Sequence, residues 1–295
     1  MQNLKALILE DKVIFDEILR ADPPRASEYT FTNLFMWRRK YHPTWTTAHG
    51  CLLIIMNPLD GEPFGLFPSG LGDKRSALKL LSELLLEFSG RSLICRVLSD
   101  AIDKFVDTSE FQVAYDRDNS DYVYLSDDLM QLRGNKYHRK KNHLNRFKKS
   151  WNFEYRYLDI SLIDEVLQLQ EDWCEIKDCA DSPDLLHEDQ AVYEALKNYR
   201  VLGFKGGAIL INGKVEAFSF GELLNPETAV IHIEKANPEI PGLYTAINQM
   251  FAMRSWSDVK YINREQDLGL EGLKKAKESY YPDHLVEKYV LKRKT

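Results

Sequence analysis

The sequence predicts an α/β protein with mixed (α+β-like) sheets, divided into two related halves. Its 295 residues are enough for two domains. In the second half, the apolar patterns follow the order helix, helix, hairpin, strand, helix, strand, helix, strand, which is typical of a mixed sheet with helices on its faces. The first half repeats this order more faintly. We therefore predict one domain over residues 1–128, a basic linking helix over 129–150 and a second domain over 151–295.

The elements of the first half follow from apolar periodicity and from turn residues. Gly50 separates two apolar runs, glycines and prolines indicate a loop over 61–72, and Gly90 ends a strong amphipathic pattern. The predicted elements are a strand and a helix within 1–20, an aromatic-rich helix and loop over 26–41, two strands over 44–57, the loop over 61–72, a helix over 76–88, a strand over 92–97, a helix over 100–108 and strand material over 111–125.

A hairpin is the clearest element of the second half. Asn212 and Gly213 lie between two alternating apolar runs, and this dipeptide strongly favours a tight turn between antiparallel strands. The predicted elements are helices over 160–177 and 187–198, the hairpin over 201–224, a strand over 228–234, a helix over 242–256, a strand over 259–263, a helix over 270–279 and a strand over 285–291.

Charge is distributed unevenly along the chain. The net charge is −6, yet eight basic and no acidic residues lie within 133–149, which leaves −14 for the remainder. An apolar stripe at helical spacing predicts one buried face, formed by Tyr137, Leu144, Phe147 and Trp151. The basic residues around this stripe indicate a polyanion site. The alternative is a solvated helix whose lysine stems cover apolar surface.

Composition argues against several classes of protein. With 12% aromatic and 44% hydrophobic residues, the chain is neither disordered nor of low complexity. No stretch approaches the roughly 20 apolar residues of a membrane span, and residues 1–12 lack the pattern of a secretory signal. The four cysteines suit reduced thiols in a cytoplasmic protein, and no Cys/His set has the spacing of metal ligands. We expect Cys174 and Cys179 to be core or surface thiols.

A polar run follows the predicted strand over 259–263. It consists of Asn263, Arg264, Glu265, Gln266 and Asp267. Ligands gather at strand ends in open α/β sheets, and a plain loop rarely needs so much hydrogen-bonding capacity. We therefore predict a functional site here. The alternative for each carboxylate is a structural salt bridge.

The strand over 228–234 leads through a loop into the helix predicted from Gly242. This order resembles the strand, loop and helix of the GCN5-related N-acetyltransferases (GNAT), in which backbone amides at a helix N-terminus hold the pyrophosphate of coenzyme A. The family pattern is Gln/Arg-x-x-Gly-x-Gly/Ala. The corresponding stretch of this chain matches at Ala246, whereas Pro241 and Tyr244 replace the basic residue and the first glycine. An ordinary strand–turn–helix is the alternative.

Two motifs carry a wider resemblance. The basic run Lys136–Phe147 and the stretch Asn263–Pro282 resemble uncharacterised bacterial proteins similar to the C-terminal domain of phosphatidylglycerol lysyltransferase. That group belongs to the tandem-GNAT proteins, which include the Fem aminoacyl-tRNA-dependent peptidyltransferases. The resemblance covers most of the chain and implies two tandem GNAT-like domains, with the active site in the second. The lysyltransferase also carries a many-helix membrane domain, and we expect none here.

The residues and the resemblance together imply three groups of site residues. Polar side chains at the strand ends would perform the chemistry, and the candidates are Glu265, Asp267, Asn263 and Glu234. The donor would contact a strand, a loop and two helices through Ile233, Lys235, Gly242, Leu243, Tyr244, Thr245, Ala246, Lys274, Lys277 and Tyr280. Lys277 and Tyr280 also resemble the Lys-x-x-aromatic pattern of the Fem proteins. Phosphates would meet the basic helix through Lys136, Arg139, Lys140, Lys141 and Arg146.

The leading hypothesis is a cytoplasmic acyltransferase. It would move an acyl or aminoacyl group from a coenzyme A thioester or an aminoacyl-tRNA to an unknown amine or hydroxyl acceptor, without a metal. The alternative is a catalytically silent RNA-binding or adaptor module that keeps the fold and the basic helix. The sequence leaves the choice between the two donors open, because the loop departs from the coenzyme A pattern and the basic helix indicates RNA.

Overall fold

The computed structural model describes residues 4–294, which form two seven-stranded sheets and their helices. The strands are β1 (Lys5–Ala6), β2 (Thr44–Ala48), β3 (Cys51–Met56), β4 (Phe64–Ser69), β5 (Leu93–Leu98), β6 (Phe111–Tyr115), β7 (Asp121–Leu125), β8 (Phe153–Tyr157), β9 (Lys205–Ile211), β10 (Lys214–Asn225), β11 (Thr228–Ala236), β12 (Tyr261–Asn263), β13 (His284–Val286) and β14 (Lys288–Arg293). The helices are α1 (Lys12–Ala21), α2 (Phe31–Met36), α3 (Arg38–Tyr41), α4 (Lys74–Ser89), α5 (Ser99–Phe105), α6 (Ser126–Gln131), α7 (His138–Ser150), α8 (Ile163–Ile176), α9 (Pro183–Lys197), α10 (Tyr199–Leu202), α11 (Leu243–Ser255) and α12 (Glu271–Glu278).

The first compact unit contains the described residues up to Asp121, together with Gln266–Leu273 and the residues from Leu285 onward. Its sheet has the order β1-β2-β3-β4-β5-β14-β6. Neighbouring strands are antiparallel except for β4 and β5, which run parallel. Helix α4 covers this sheet because leucines recur every three or four residues along it and are buried. Burial of each such side chain stabilises the fold by about 1.5–3 kcal/mol; they are Leu78, Leu81 and Leu85.

The second compact unit contains Tyr122–Glu265 and Lys274–His284. Its sheet has the order β13-β7-β12-β11-β10-β9-β8. Strands β8 to β11 form an antiparallel meander, β11 and β12 run parallel, and β7 pairs with β12 in antiparallel orientation. Helix α11 is buried on nearly all sides, as expected of a central core helix. It therefore brings its polar residues into the interior of this unit.

The two sheets share one strand order, but each is completed by a strand from elsewhere in the chain. In both, an antiparallel meander ends in a parallel pair, and two further strands follow. In the first sheet the strand beside β5 is β14, the last in the chain, whereas in the second sheet the strand beside β12 is β7. The compact units are therefore discontinuous in sequence, unlike the contiguous domains that the sequence predicts, and α7 is part of the second unit rather than a linker.

Most predicted elements are present, and the predicted fold class of mixed sheets with helices is confirmed. Asn212 and Gly213 have φ angles of 52° and 81°, the left-handed conformation that the hairpin turn requires. The predicted loop over 61–72 is wrong, because β4 lies within it, paired with β3 and β5. Strand β8 is not among the predicted elements. Residues 1–3 of the predicted first strand lie outside the described residues.

The prediction of four reduced thiols is wrong for one pair. Cys174 and Cys179 form a disulfide at the end of α8, while Cys51 and Cys95 are free and buried. The two bonded cysteines are only five residues apart, and the helix ends between them, which brings their sulfur atoms together. Within residues 4–294, no helix is both long enough and apolar enough to cross a membrane.

Candidate active site

The sheet of the second unit opens beside β11. Strand β11 pairs with β12 only as far as Val230 and Asn263, yet it continues to Ala236. Its last six residues, 231–236, therefore extend beyond that pairing while β10 still pairs with their other edge. Backbone groups on an unpaired strand edge are available to a ligand. The polar residues of the second unit gather at this opening.

A carboxylate, a guanidinium and an amide meet at the opening. Glu234, near the end of β11, accepts hydrogen bonds at both oxygens: Oε1 from Arg264 Nη2 at 3.0 Å and Oε2 from Asn248 Nδ2 at 2.8 Å. Arg264 directly follows β12, and Asn248 lies on α11. The side chains of Glu234 and Arg264 are only 13% and 14% exposed. A hydrogen-bonded ion pair with so little exposure is held firmly in place.

Two atoms of this group are buried without a partner. Arg264 Nη1 and Asn248 Oδ1 make no hydrogen bond to any described residue. A buried donor or acceptor without a partner costs about 1–3 kcal/mol, so such atoms are rare in folded proteins. One is a donor and the other an acceptor, and both belong to residues that bind Glu234. A ligand that both accepts and donates hydrogen bonds fits this pair of atoms.

Aromatic side chains and one lysine complete the group. The ring centroid of Tyr280 lies 4.8 Å from the guanidinium carbon of Arg264 and 3.8 Å from Lys140 Nζ. Burial lowers the pKa of Lys140 to about 8; the charge of Arg264 also lowers it, while Glu234 partly opposes this. Tyr280 forms a hydrogen bond with Thr245 of α11. Glu234, Lys140, Tyr280 and Thr245, which the sequence predicts in three separate groups, therefore lie around Arg264.

A histidine that the sequence analysis does not identify lies between two carboxylates nearby. His232 Nδ1 and Nε2 each lie 2.9 Å from a carboxylate oxygen, of Glu265 and Glu222 respectively. Because Phe220 pairs with Ile233 while the next residue pairs with Ile231, His232 is the extra residue of a β-bulge. Burial disfavours the imidazolium, but the hydrogen bonds and charges of both glutamates raise the pKa of His232 to about 9.

A second polar cluster lies around Lys235, the residue that follows Glu234 in β11. Lys235 forms an ion pair with Glu188 of α9, and its Nζ lies 3.4 Å from the ring centroid of Trp173 on α8. The indole N–H of Trp173 in turn donates to the hydroxyl of Tyr244 at 2.8 Å. Burial lowers the pKa of Lys235, although Glu188 opposes this. Lys235 and Tyr244 therefore share Trp173 as a partner and belong to this second cluster rather than to the group around Arg264. Ile233, which lies between His232 and Glu234 in the sequence, is buried.

Two predicted catalytic residues have structural partners. Asp267 is fully buried in the first unit, where Arg117 Nη1 binds it at 2.6 Å and the amide of Gly269 donates to it. Asn263 is also fully buried, and its Oδ1 accepts a hydrogen bond from the amide of Glu265 at 2.8 Å. This bond supports Glu265 in a left-handed conformation, with φ of 59°. Asp267 therefore does not join Glu234 and Arg264.

The start of α11 packs closely on α7. Gly242 has φ of 89°, and a Cβ there would lie 2.4 Å from the carbonyl oxygen of His143. Leu243, Thr245 and Ala246 are buried. Because the backbone of α7 at His143 lies beside Gly242, a side chain there would have no room, and the glycine serves helix packing.

The lysines of α12 differ in exposure. Lys277 is buried, its ammonium donates to the carbonyl oxygen of Arg264, and its own carbonyl accepts from the hydroxyl of Tyr124 at 2.9 Å. These bonds fix the segment that carries Arg264. Lys274 is half-buried. Lys277 thus stabilises the backbone at Arg264.

The basic residues of the α7 region separate into an inner and an outer set. Lys140 Nζ lies over the ring of Tyr280, and Lys136 forms an ion pair with Asp128. The outer residues are exposed and have no ion-pair partner among residues 4–294; they are Arg139, Lys141 and Arg146. The predicted apolar stripe is largely buried, although Trp151 is 37% exposed. The amphipathic pattern therefore identifies the helix correctly, but not the distinct position of Lys140.

Comparison with known proteins places the chain in a family. The profile of the family described as phosphatidylglycerol lysyltransferase, C-terminal, matches residues 20–292. The chain belongs to this family. The resemblance drawn from Lys136–Phe147 and Asn263–Pro282 is thereby confirmed. Membership in the phosphatidylglycerol lysyltransferase C-terminal family supports a transferase. No curated protein sequence matches the chain.

Three solved structures illustrate what this member of the lysyltransferase family is similar to. A conserved protein of unknown function from Bacteroides thetaiotaomicron VPI-5482 has 34% identity and a TM-score of 0.92, covering 100% of both chains. The C-terminal domain of a putative lysylphosphatidylglycerol synthetase from Agrobacterium fabrum has 13% identity and a TM-score of 0.67, over 97% of this chain and 91% of that one. A tandem GNAT protein from the clavulanic acid biosynthesis pathway has 11% identity and a TM-score of 0.51, over 100% and 99%. The tandem-GNAT fold is thus confirmed.

Proposed function

We propose that this protein transfers an aminoacyl group from the ester of an aminoacyl-tRNA to an amine or hydroxyl acceptor. The observation that carries the proposal is the pair of unpartnered buried atoms, Arg264 Nη1 and Asn248 Oδ1. An aminoacyl ester supplies what each atom needs, because its carbonyl oxygen accepts a hydrogen bond and its α-ammonium donates one. A simple acyl group has the carbonyl but lacks the donor.

The chemistry follows from the charges around these atoms. The acceptor's nitrogen or oxygen attacks the ester carbonyl carbon, and the developing oxyanion is stabilised by Arg264 and by backbone amides on the unpaired edge over 233–235. The ester C–O bond then breaks, and the leaving oxygen of the terminal adenosine takes up the proton removed from the attacking group, so that a free hydroxyl is released. Glu234 is the proposed acceptor of the proton from the attacking group, because it contacts both Arg264 and Asn248. Glu265, bound to His232, is the second candidate.

The donor is proposed to be a tRNA rather than coenzyme A. The exposed basic residues of α7 form an unpaired positive surface suited to phosphates; they are Arg139, Lys141 and Arg146. By contrast, the start of α11 at Gly242 is filled by α7, which argues against a coenzyme A pyrophosphate there. Lys274 and Lys136 remain further candidates for phosphate contacts. The acceptor stays open between amines and hydroxyls, and the protein is proposed to act in the cytoplasm.

The test is transfer of radiolabelled aminoacyl groups from a mixed aminoacyl-tRNA pool to lipid and peptide acceptors, compared with acetyl-coenzyme A as donor. We expect Glu234→Gln, which preserves the shape of the side chain, to lower the rate at least about 10²-fold, as is typical when an acid–base group is lost. Glu239→Gln is the matched control, because Glu239 is an exposed glutamate shortly after β11.

The alternative of a silent RNA-binding module predicts a different result. If tRNA binds in a salt-dependent manner but is never deacylated in the presence of any acceptor, the catalytic proposal is wrong and the exposed basic surface of α7 supports the alternative. Transfer from acetyl-coenzyme A with no use of aminoacyl-tRNA would contradict the proposed donor. An unchanged rate in Glu234→Gln would contradict the proposed role of Glu234 alone.

A further inference from the structure

Strand β8 forms one edge of the sheet of the second unit. Among residues 4–294 it pairs with β9 alone, in antiparallel orientation. In such pairs, residues that exchange two backbone hydrogen bonds alternate with residues that exchange none. The amide of Leu158 donates to the carbonyl oxygen of Gly206 at 2.9 Å, in the register of the strand pair. The alternation therefore turns the backbone groups of three residues away from β9; they are Phe153, Tyr155 and Tyr157.

Two opposite charges lie along this edge. Glu154 and Arg156 share one face of β8, because side chains alternate along a strand. Neither has an ion-pair partner within residues 4–294. Arg156 acts electrostatically on Asp159, but the carboxylate of Asp159 accepts hydrogen bonds from Ser161. Both charges of β8 are therefore available to a group outside the chain.

The order of the residues in β8 is complementary to itself. If a second β8 pairs in antiparallel orientation about Tyr155, Phe153 faces Tyr157 and Glu154 faces Arg156, once in each direction. The outward backbone groups then meet as hydrogen-bonded pairs. Glu154 and Arg156 fall on the non-bonded positions, where opposite side chains approach most closely. A two-fold axis at Tyr155 thus satisfies the edge and forms two ion pairs.

The other sheet edges lack this self-complementary charge pattern. Strand β6, at the end of the first sheet, also has five residues, but Gln112 and Ala114 stand at the two positions that are charged in β8. The remaining edge strands, β1 and β13, have only two and three residues. Strand β8 is therefore the edge with the means to select its own copy.

Large apolar side chains also lie exposed along β8. Tyr157 is 58% exposed, and Trp151 and Ile160, just before and just after the strand, are 37% and 53% exposed. The register about Tyr155 brings Trp151 of one copy next to residues 159–160 of the other. Pairing would therefore remove apolar surface from water at both ends of the strand, which favours association.

We propose that β8 binds the β8 of a second copy of this chain, so that one sheet continues through a symmetric dimer. The pairing goes beyond the proposed function and does not depend on it. Because the strand is short, the interface belongs to the small class that associates weakly, and the dimer should form at micromolar concentrations.

Analytical ultracentrifugation of the full chain between about 2 and 200 µM tests the proposal. We expect the wild type to pass from monomer to dimer in this range. Glu154→Arg and Arg156→Glu each place like charges opposite one another in both cross-strand pairs, and each should weaken the dimer at least about 10²-fold. Gln112→Arg is the matched control, because it adds a charge at an exposed position of the edge strand β6. It should leave the dissociation constant within about twofold.

Recombining the charges separates the proposed register from a general effect of charge. The double variant, with Glu154→Arg and Arg156→Glu in one chain, again has opposite charges across the axis and should regain the dimer. An equimolar mixture of the two single variants should form a mixed dimer, because a basic strand then faces an acidic one.

Three results would overturn the proposal. They are a wild type that stays monomeric throughout the range, a dimer that both single variants leave intact, and failure of both recombinations to restore association. The unfolding midpoint of each variant, measured alongside, verifies that it is folded. None of these measurements requires transfer activity, so they stand whether or not the protein uses aminoacyl-tRNA.

Discussion

The two units contain the same strand order, but they use charge in opposite ways beside their parallel strands. In the second unit, Arg264 and Asn248 keep buried atoms without partners at the opening beside β11. In the first unit, a fully buried lysine, Lys288, binds Glu28 and Asp121 at 2.6 Å each. The Arg264 group of the second unit has hydrogen-bonding atoms without a partner. In the Lys288 group of the first unit, the lysine is paired with two carboxylates. One strand order thus carries an internally paired buried lysine in one unit and buried polar atoms without a partner at Arg264 and Asn248 in the other.

The helices that follow the first parallel strand have different groups at their first turn. In the first unit, Asp73 caps α4 by accepting from the amides of its first turn, and Asp22 accepts from the amide of Gly70. These carboxylates occupy the place where an anion would bind. In the second unit, the residue before α11 is Gly242, no side chain among the described residues caps that helix, and α7 packs against Gly242 instead. The first unit is therefore closed to anions at this point by its own acidic side chains.

The largest expected effect is a loss of stability in the first unit. Lys288→Met leaves Asp121 buried without its cation and leaves Glu28 with Arg96 alone, which should destabilise the protein by about 3–5 kcal/mol in urea unfolding. Lys292→Met removes an exposed lysine from the same strand and should change the stability by less than about 0.5 kcal/mol. If the Lys288 variant is as stable as the wild type but fails to bind tRNA, the Lys288 group takes part in binding, and its purely structural role is contradicted.

A smaller effect concerns pH and the second unit. The pKa of His232 is raised from 6.5 to about 9 in the folded state by Glu222 and Glu265, despite burial. The stabilisation is therefore complete below pH 6.5 and is lost as the pH rises through 9, by up to roughly 3 kcal/mol. The free energy of unfolding of the wild type should fall between these two pH values by more than that of His232→Gln. His284→Gln, at a half-exposed histidine, should leave the wild-type profile unchanged. A wild type whose stability does not depend on pH in this range would contradict the raised pKa of His232.

The smallest effect compares one glycine from each unit. Gly242 and Gly90 both have positive φ, so alanine costs about 1–2 kcal/mol at either position. At Gly90 nothing lies within 4 Å of the added carbon, whereas at Gly242 it would meet the backbone of His143 at 2.4 Å. Gly242→Ala should therefore lower the free energy of unfolding more than Gly90→Ala does. Equal losses would mean that α7 does not pack against α11 as described.

The sequence predicts local structure well where the pattern is local. The amphipathic leucines of α4, the Asn212-Gly213 turn and the basic helix α7 all depend on neighbouring residues, and each is present. Strand β4 is missed because its glycine and proline suggest a loop, whereas pairing with β3 on one edge and β5 on the other makes it a strand. Propensity yields to tertiary pairing at such positions.

The site is only partly accessible from sequence for the same reason. Glu234, Lys140 and Tyr280 are among the predicted residues, but their meeting around Arg264 depends on three separate elements. His232 lacks a sequence signal, because the bulge that places it between Glu222 and Glu265 follows from strand register. Asp267 stands in the same polar run as Glu265, yet its partner Arg117 lies 150 residues away. A run of polar residues therefore indicates where a site lies, but it does not show which of its residues have functional roles and which have structural ones.

The exchange of β7 and β14 has a consequence for the order in which the chain folds during synthesis. Strand β5 can pair with β4 early, but its other neighbour, β14, is translated after all other strands found within residues 4–294. Until then β5 and β6 each lack the strand that joins them, and exposed strand edges invite wrong partners. In the second unit β7 is translated before the meander, and it also waits for its neighbours β12 and β13. In both units, a strand next to the parallel pair thus finds its partners only after most of the sheet has been translated.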